Sequence, residues 1–493
     1  CNGLVGPDRK PHPALAEVKY AHQNVAFEAV DLKTGRYKVV NRFYFTNLRK
    51  YDVNYELRAN GSVAKRGKVA LDVSPQATAE FVIPVTVTVG KPGVEYFVHF
   101  SVVTRQAEPL IPIGHEIAQE QFRLPLETEK DSYEASGKAL GWKAENGKVV
   151  VSSSNVYFEL DKATGMVTSY KVNGTEFFDK AFGVQPNFWR APNDNDYGNS
   201  NPKRLQIWKE SSRDFKVSDT AVREEGETVL MSVTYDLPAG NQYLITYRIY
   251  RDGVVNVNVK FTQTDREAEK TEVLEDTNLA TFTPGKKVKK KDVFEVPRIG
   301  VRFRIPHVMN RVEYFGRGPV ENYVDRNAGS MVGRYKTSVE EMYVNYVRPQ
   351  ENGHRTDTRW VSFTNTVGRG LLVLAEKTIG FNALRNTVED FDSEESSHPY
   401  QWRNRSPKEV AGKNEAEAKN VLRRMTHVND ITPRDFVEVC IDMKQQGVAG
   451  YDSWGAKVQP GYTIPANRDY VWGFTLIPIK NVGDVNKSLR YTY

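Results

Sequence analysis

Cysteine is nearly absent, with two residues, Cys1 and Cys440, in a chain of 493. Two thiols so far apart make no disulfide framework, so packing must hold the fold. Long apolar runs are missing too, and none approaches the roughly 18 residues a membrane helix needs. Charge of one sign is not in excess: 68 basic and 62 acidic residues leave a net +6. The only dense basic run, Lys286-Lys287-Val288-Lys289-Lys290-Lys291, follows Pro284-Gly285. Without aromatic or motif support beside it, it reads as a solvated hairpin tip rather than a nucleic-acid patch. Neither nucleic acid nor membrane is an expected partner. The eight histidines show no metal-ligand spacing. No strand–helix alternation occurs, which excludes a (β/α)8 barrel within this chain.

Aromatics are plentiful, at 11% of residues with 25 tyrosines, and these are types that strands favour. At 493 residues the chain exceeds one ordinary core. Residues 1–13, rich in Pro and Gly, read as a connector. Residues 14–126 look strand-like throughout, with candidate strands at 37–45, 53–57, 79–83 and 94–102. Turn signals separate them at Thr34-Gly35, Asn60-Gly61 and Pro92-Gly93. About seven short strands predict an immunoglobulin-like or fibronectin-like sandwich. Residues 127–147 are polar and weakly patterned, as in a solvent-exposed linker entering the next unit. Strand signals fill 137–493, with hairpins expected at 156–172 and 243–261. The fold class is therefore all-β. Residues 414–424 are the best helix candidate, inside a polar stretch over 393–430.

Three long windows stand out. The first is Asn187-Phe188-Trp189-Arg190-Ala191-Pro192-Asn193-Asp194-Asn195-Asp196-Tyr197-Gly198, whose Asn/Asp half reads as an ordered turn. The second runs Tyr314-Phe315-Gly316-Arg317-Gly318-Pro319-Val320-Glu321-Asn322-Tyr323-Val324-Asp325-Arg326, followed by Pro349-Gln350-Glu351-Asn352-Gly353. The third is Gly447-Val448-Ala449-Gly450-Tyr451-Asp452-Ser453-Trp454. In this order they resemble the last domain of the large bacterial β-galactosidases of glycoside hydrolase family 2. Cys1-Asn2-Gly3-Leu4-Val5, then Asp8-Arg9 and Pro11-His12-Pro13-Ala14-Leu15, resembles the exit segment of that family's catalytic barrel. Cys1 in first place also fits an acylated lipoprotein, a weaker account.

The resemblance implies a C-terminal part of a retaining β-galactosidase: 1–13 the barrel's tail, 14–126 a linker sandwich, and 137–493 a large, galactose-mutarotase-like antiparallel super-sandwich. The implied substrate is a terminal β-D-galactoside, lactose-like, and the implied assembly a homo-oligomer, dimer or tetramer. A bacterial cytoplasm or periplasm would suit it equally. Retaining chemistry needs two carboxylates about 5 Å apart. In the family both are barrel glutamates upstream, so no catalytic residue is expected here. The Asp and Glu of strands and turns read as solvent-facing. Trp454 matches a tryptophan that contacts the sugar, though a core role is the plainer alternative. Asp452 shares its Gly-rich loop, where backbone can approach a ligand closely. Gly198 opens a segment, 198–204, matching a loop that swings toward substrate. Asn2 matches a sodium ligand, while the remaining sodium and the magnesium ligands would lie upstream. Asp194-Asn195-Asp196 lacks the ligand spacing of a calcium loop. Arg317, Glu321, Asn322, Asp325 and Arg326 read as salt-bridged scaffold, and His354 and Arg355 as packing or ion-pair residues. The rival readings are a free-standing, non-catalytic carbohydrate-binding or interaction module, or a purely structural sandwich.

Overall fold

In the strand Tyr51–Ala59 side chains alternate between buried and half-buried, as a sheet with one face on a core requires. The computed structural model describes the chain except residues 1–2, 85–86, 88, 127, 264–271, 276–285, 290–294, 393–426, 449–451, 453–454 and 482, and gives only the backbone of 272–275 and 286–289. Four strands, in the order Ser62–Val69, Tyr51–Ala59, Tyr96–Thr104 and Glu116–Arg123, pack on three, in the order Val25–Asp31, Arg36–Asn41 and Thr78–Val82. Every neighbouring pair is antiparallel. This is the expected sandwich, with Asn60-Gly61 at φ 46° and 80°, the backbone a two-residue hairpin loop needs. Its core is aromatic. Phe27 stacks on Phe100 at 4.7 Å, and Tyr37 meets Phe100 edge-on at 4.9 Å, each worth ~0.5–1.5 kcal/mol beyond burial.

Several expectations fail around this unit. Residues 14–21 form the helix Ala14–Ala21, not a strand, because a run of helix formers follows Pro13. Glu17 of this helix accepts from Gly329 N at 2.8 Å and Tyr20 donates to Glu120 at 2.7 Å. The strand expected over 37–45 stops at Asn41, whose side-chain amide donates to the carbonyls of Thr46, Val73 and Ser74. That diversion leaves Tyr44 and Phe45 exposed. Residues 128–147 are mostly exposed and lead into the strand Gly141–Glu145, as expected of a linker entering the next unit, but part of the stretch is also paired. Asp131–Ser132 pairs in parallel with Tyr491–Thr492, and the Tyr133 ring lies 4.3 Å from Tyr493 and 5.3 Å from Tyr250.

Beyond it, five strands from Gly141–Glu145 to Thr175–Glu176 form one antiparallel sheet. A twelve-stranded sheet runs Gln185–Asn187, Arg298–Pro306, Phe436–Gln445, Gly370–Leu384, Tyr470–Ile479, Val255–Thr262, Gln242–Ile249, Thr228–Asp236 and Lys216–Glu225. Arg311–Gly318, Met331–Ser338 and Arg355–Thr364 branch from its Gly370–Leu384 strand. Both expected hairpins are present. One continuous core joins the two sheets; Tyr243, Ile245, Tyr247 and Ile249 point into it in strict alternation. The basic run starts as the strand Lys286–Lys289, paired with Glu272–Glu275. Its last two lysines and the helix candidate 414–424 lie outside the described residues.

The two sandwiches are joined by a mixed seam. Gln121 exchanges two 2.9 Å hydrogen bonds with the Val332 backbone, and Phe97 meets Phe315 edge-on at 6.4 Å. Among the described residues no helix is long and apolar enough to cross a membrane.

Candidate functional site

The window 187–198 leaves the sheet edge, where Gln185–Asn187 pairs with Arg298–Pro306, and goes straight into the core. Phe188 packs on Tyr243 at 4.9 Å and Trp208 at 5.9 Å. The Trp189 indole donates to Asp392 at 2.8 Å. Arg190 meets Asp196 through Nη2–Oδ1 at 2.8 Å, Nη2–Oδ2 at 3.1 Å and Nε–Oδ2 at 3.3 Å. Asn193 starts a helical turn. Its side chain accepts from Asp196 N at 2.9 Å, and Asp196 accepts from Asn193 N at 3.2 Å, a reciprocal cap for the helix Asp194–Gly198. The run read as a turn is thus a capped helical turn. Residues 198–204, expected as a loop, are also largely helical. After Ser200, at φ 61°, comes the helix Asn201–Arg204 with Pro202 in its first turn.

Described residues at the two ends of the glycine-rich segment are held by this turn and the residues beside it. Arg190 donates to the carbonyls of Gln446 at 2.7 Å and Gly447 at 2.9 Å. Asn193 and Asn195 both donate to the Val448 carbonyl, at 3.0 and 3.1 Å. At the far end Asn199 donates to the Ala456 carbonyl at 3.4 Å, and Asp452 accepts from Ala456 N at 3.2 Å. A Cβ at Gly455, where φ is 131°, would stand 3.4 Å from the Gly198 carbonyl oxygen. Gly198 and the segment that carries Asp452 are therefore brought together. Trp454 and Asn2 lie outside the described residues.

The remaining window closes behind them. A Cβ on Gly447 would come within 2.4 Å of Asp325 Oδ2, so only glycine fits there without a shift. Glu351 N donates to the Ala191 carbonyl at 3.1 Å. Glu321, buried, accepts from Arg326 at 2.9 Å and from Tyr346 and Gly353 N at 2.7 Å each. Asn322 bonds the backbone of Arg317, Val320 and Thr356. These residues make a scaffold.

The reading of strand carboxylates as solvent-facing is wrong for the strand Phe436–Gln445. Its second face carries Glu438, Cys440 and Asp442, 3%, 3% and 0% exposed. Arg298, also buried, lies 3.2 Å from Asp442 and 3.1 Å from Glu351, and Arg302 lies 3.4 Å from Glu438 and 2.9 Å from Glu389. Burial pushes the Asp442 carboxyl up to about 7, against the pull of Arg298 and helped by Glu351. Burial, then Arg298 and Arg355, drives His354 well below the usual imidazole range. It is neutral, so its 3.8 Å approach to Asp442 is not an ion pair. Burial likewise raises the Cys440 thiol, which makes it a poor nucleophile. One signal was available: a cysteine shares the acids' file, and cysteine is among the most buried residue types.

The architecture defines a two-sandwich β-protein in which the backbone at Gln446, Gly447 and Val448 is pinned beside a capped helical turn. Residues 152–476 match the family model "Beta galactosidase small chain", and 37–125 match "Beta-galactosidase, domain 4". The chain belongs to the β-galactosidase small-chain family. It is 32% identical over 481 residues to a protein named beta-galactosidase from Priestia megaterium, covering 97% of this chain and 41% of that one. With the beta-galactosidase of Streptococcus thermophilus it shares 28% identity over 481 residues, covering 97% and 40%. The chain thus spans about two-fifths of the length of these relatives. A solved galactose 1-epimerase from Lactobacillus acidophilus NCFM has a TM-score of 0.31 at 8% identity, covering 71% of this chain and 99% of that one. Among the described residues no three His, Cys, Asp or Glu side chains are grouped to hold a metal.

Proposed function

We propose that this chain is the C-terminal region of a retaining β-galactosidase that hydrolyses terminal, non-reducing β-D-galactosides of the lactose type. The two catalytic glutamates belong to the part that precedes it. This region supplies the sugar-contacting segment with Asp452 and Trp454, the backbone at Gly198, and surfaces for self-assembly into a dimer or tetramer. Asn2 offers an amide oxygen to a sodium ion whose other ligands, like those of magnesium, lie upstream. The observation that carries this reading is the meeting of Gly198 and Gly455, 3.4 Å from carbonyl oxygen to Cβ position. Two windows far apart in sequence thereby flank one spot, with glycine on both sides where a ligand can come close to backbone. Family membership and alignment with named beta-galactosidases over 97% of the chain support the reaction.

The test compares the full-length polypeptide with residues 1–493 on a chromogenic β-galactoside, with the product anomer followed by NMR. Full-length protein should release the β-anomer first, and residues 1–493 should release nothing. Turnover by the shorter chain free of host enzyme, or none by the longer one, overturns the proposal.

A further inference from the structure

The turns Asn60-Gly61 and Pro92-Gly93 of the first sandwich meet the second where only glycine fits. A Cβ on Gly61 would stand 2.5 Å from Arg334 N, and one on Gly93 would run into the Leu489 carbonyl oxygen. Asn60 locks the two turns together, donating to the Gly93 carbonyl at 2.9 Å and accepting from Glu95 N at 2.8 Å. Three distant parts of the chain are thus brought edge to edge: these turns, the strand Met331–Ser338, and the residues after the helix Asp484–Ser488. Between them lies a groove of about 470 Å³, within the roughly 300–1,000 Å³ of small-molecule sites.

The lining is one-sided in charge. Lys91, Arg334 and Arg490 line the groove, and none of its lining residues is an Asp or Glu. Lys91 is exposed, and its ammonium has no partner among the described residues. Arg334 gives its Nε to buried Glu313, which leaves both Nη groups without an acceptor among the described residues. Arg490 stands 3.5 Å from Asp131, with both side chains more than half exposed, so the pairing is weak. Two carboxylates thus serve three cations, and positive charge is left over at the groove. Beside these donors Ala59, Val94 and Leu489 supply an apolar wall.

We propose that the groove at the junction of the two sandwiches binds a small organic anion, a phosphate monoester with an apolar body. The phosphate meets Lys91, Arg334 and Arg490, and the apolar body lies on Ala59, Val94 and Leu489. A guanidinium fork matches the oxygens of a phosphate two at a time, and a lysine adds a point charge. The wall of three apolar side chains explains why a bare inorganic ion would leave part of the groove unused. The inference does not rest on the reaction proposed above.

The test titrates the full-length polypeptide at low salt with phenyl phosphate, inorganic phosphate and benzyl alcohol, followed by calorimetry. Phenyl phosphate should bind once per chain. Inorganic phosphate should bind about three- to tenfold more weakly, for want of the ring, and benzyl alcohol should give no saturable heat. Raising NaCl from about 0.05 to about 0.5 M should weaken phenyl phosphate at least about threefold, because the charges are open to solvent. Lys91→Ala and Arg490→Ala change exposed side chains and should melt like the parent. Each should weaken phenyl phosphate by about two- to fivefold, and the double variant by about the product of the two. Arg334 is left in place, since its loss would strand the buried carboxylate of Glu313. Absence of binding up to about 20 mM phenyl phosphate overturns the proposal. Parental affinity in the double variant places the anion elsewhere and does the same. Equal binding of benzyl alcohol would make the groove an apolar pocket, and binding that competes with self-association would make a second copy of the chain its occupant; either result also overturns it.

Discussion

Asp442 Oδ1 stands 3.2 Å from Arg298 Nε, yet neither atom makes a hydrogen bond. The same guanidinium faces Glu351 at 3.1 Å, so one buried cation serves two buried carboxylates. Sharing is unequal. Burial works against the charge on Arg298, but Asp442 and Glu351 outweigh it and keep that charge in place. Asp442 gives way instead, with burial raising its carboxyl to about 7.

That shift has a direction in stability. Between about pH 4 and pH 7 the folded chain holds a proton on Asp442 that the unfolded chain has released, since an unperturbed Asp titrates near 3.9. The stabilisation from this site is therefore complete below pH 4 and is lost as pH rises through 7. The groups facing Asp442 are Arg298, neutral His354 and Glu351 through the shared guanidinium. Asp442→Asn holds the site neutral at every pH. Relative to the parent, this variant should gain stability between pH 4.5 and pH 7.5, by on the order of 2–4 kcal/mol. The comparison must be made as a difference. Glu389, half-buried and held to about 2 by Arg302 against the effect of burial, contributes the opposite slope, lost as pH falls, to both proteins. Urea melts across that pH range decide it, and a constant gap between the two curves would show that Asp442 is ionised throughout.

The segment after the first sandwich should depend on the end of the chain. Asp131–Ser132 has Tyr491–Thr492 as its parallel strand partner, and Tyr133 packs on Tyr493. Removing residues 491–493 strips both supports. Trypsin should then cut at Lys130 or Lys138 at least about tenfold faster than in the parent, where the paired backbone must first open locally. Equal cleavage rates would mean that the pairing adds no protection.

Both sandwiches are legible in the sequence because period-two alternation and glycine turns are local signals, and Asn60-Gly61 does what its residue types suggest. Other features are not local. Nothing within 127–147 reveals that Tyr133 will find Tyr493, which lies at the other end of the chain. Asn193 and Asp196 are as suited to a turn as to a reciprocal cap, and the choice is made by Arg190 and the Gln446 and Gly447 carbonyls that fix them. Glu438 and Asp442 follow a strand alternation that normally means one wet face. Only burial under neighbouring segments, with Arg298 and Arg302 delivered from the adjacent strand, makes that face dry. The three windows of the candidate site were recognisable by their residues, but their convergence is a property of the folded sheet.

Trp454 gives the sharpest division between a sugar-binding and a structural role. It precedes Gly455, whose φ of 131° places its Cβ position 3.4 Å from the Gly198 carbonyl oxygen. In the full-length polypeptide, Trp454→Ala should weaken galactoside binding by ~1–3 kcal/mol, the sum of several weak C–H contacts and the lost aromatic area. Trp454→Phe should recover part of that loss, because a smaller aromatic face still meets the ring. On the sugar-binding reading, melting temperature should hold in both variants, because a residue at the rim of a sugar site leaves the sandwich core intact. A packing role demands the reverse: a melting temperature lowered by the cavity left behind, with substrate affinity close to the parent's. Kinetics and thermal melts on the same preparations separate the two, and a destabilised Trp454→Ala with parental KM would remove Trp454 from the sugar site.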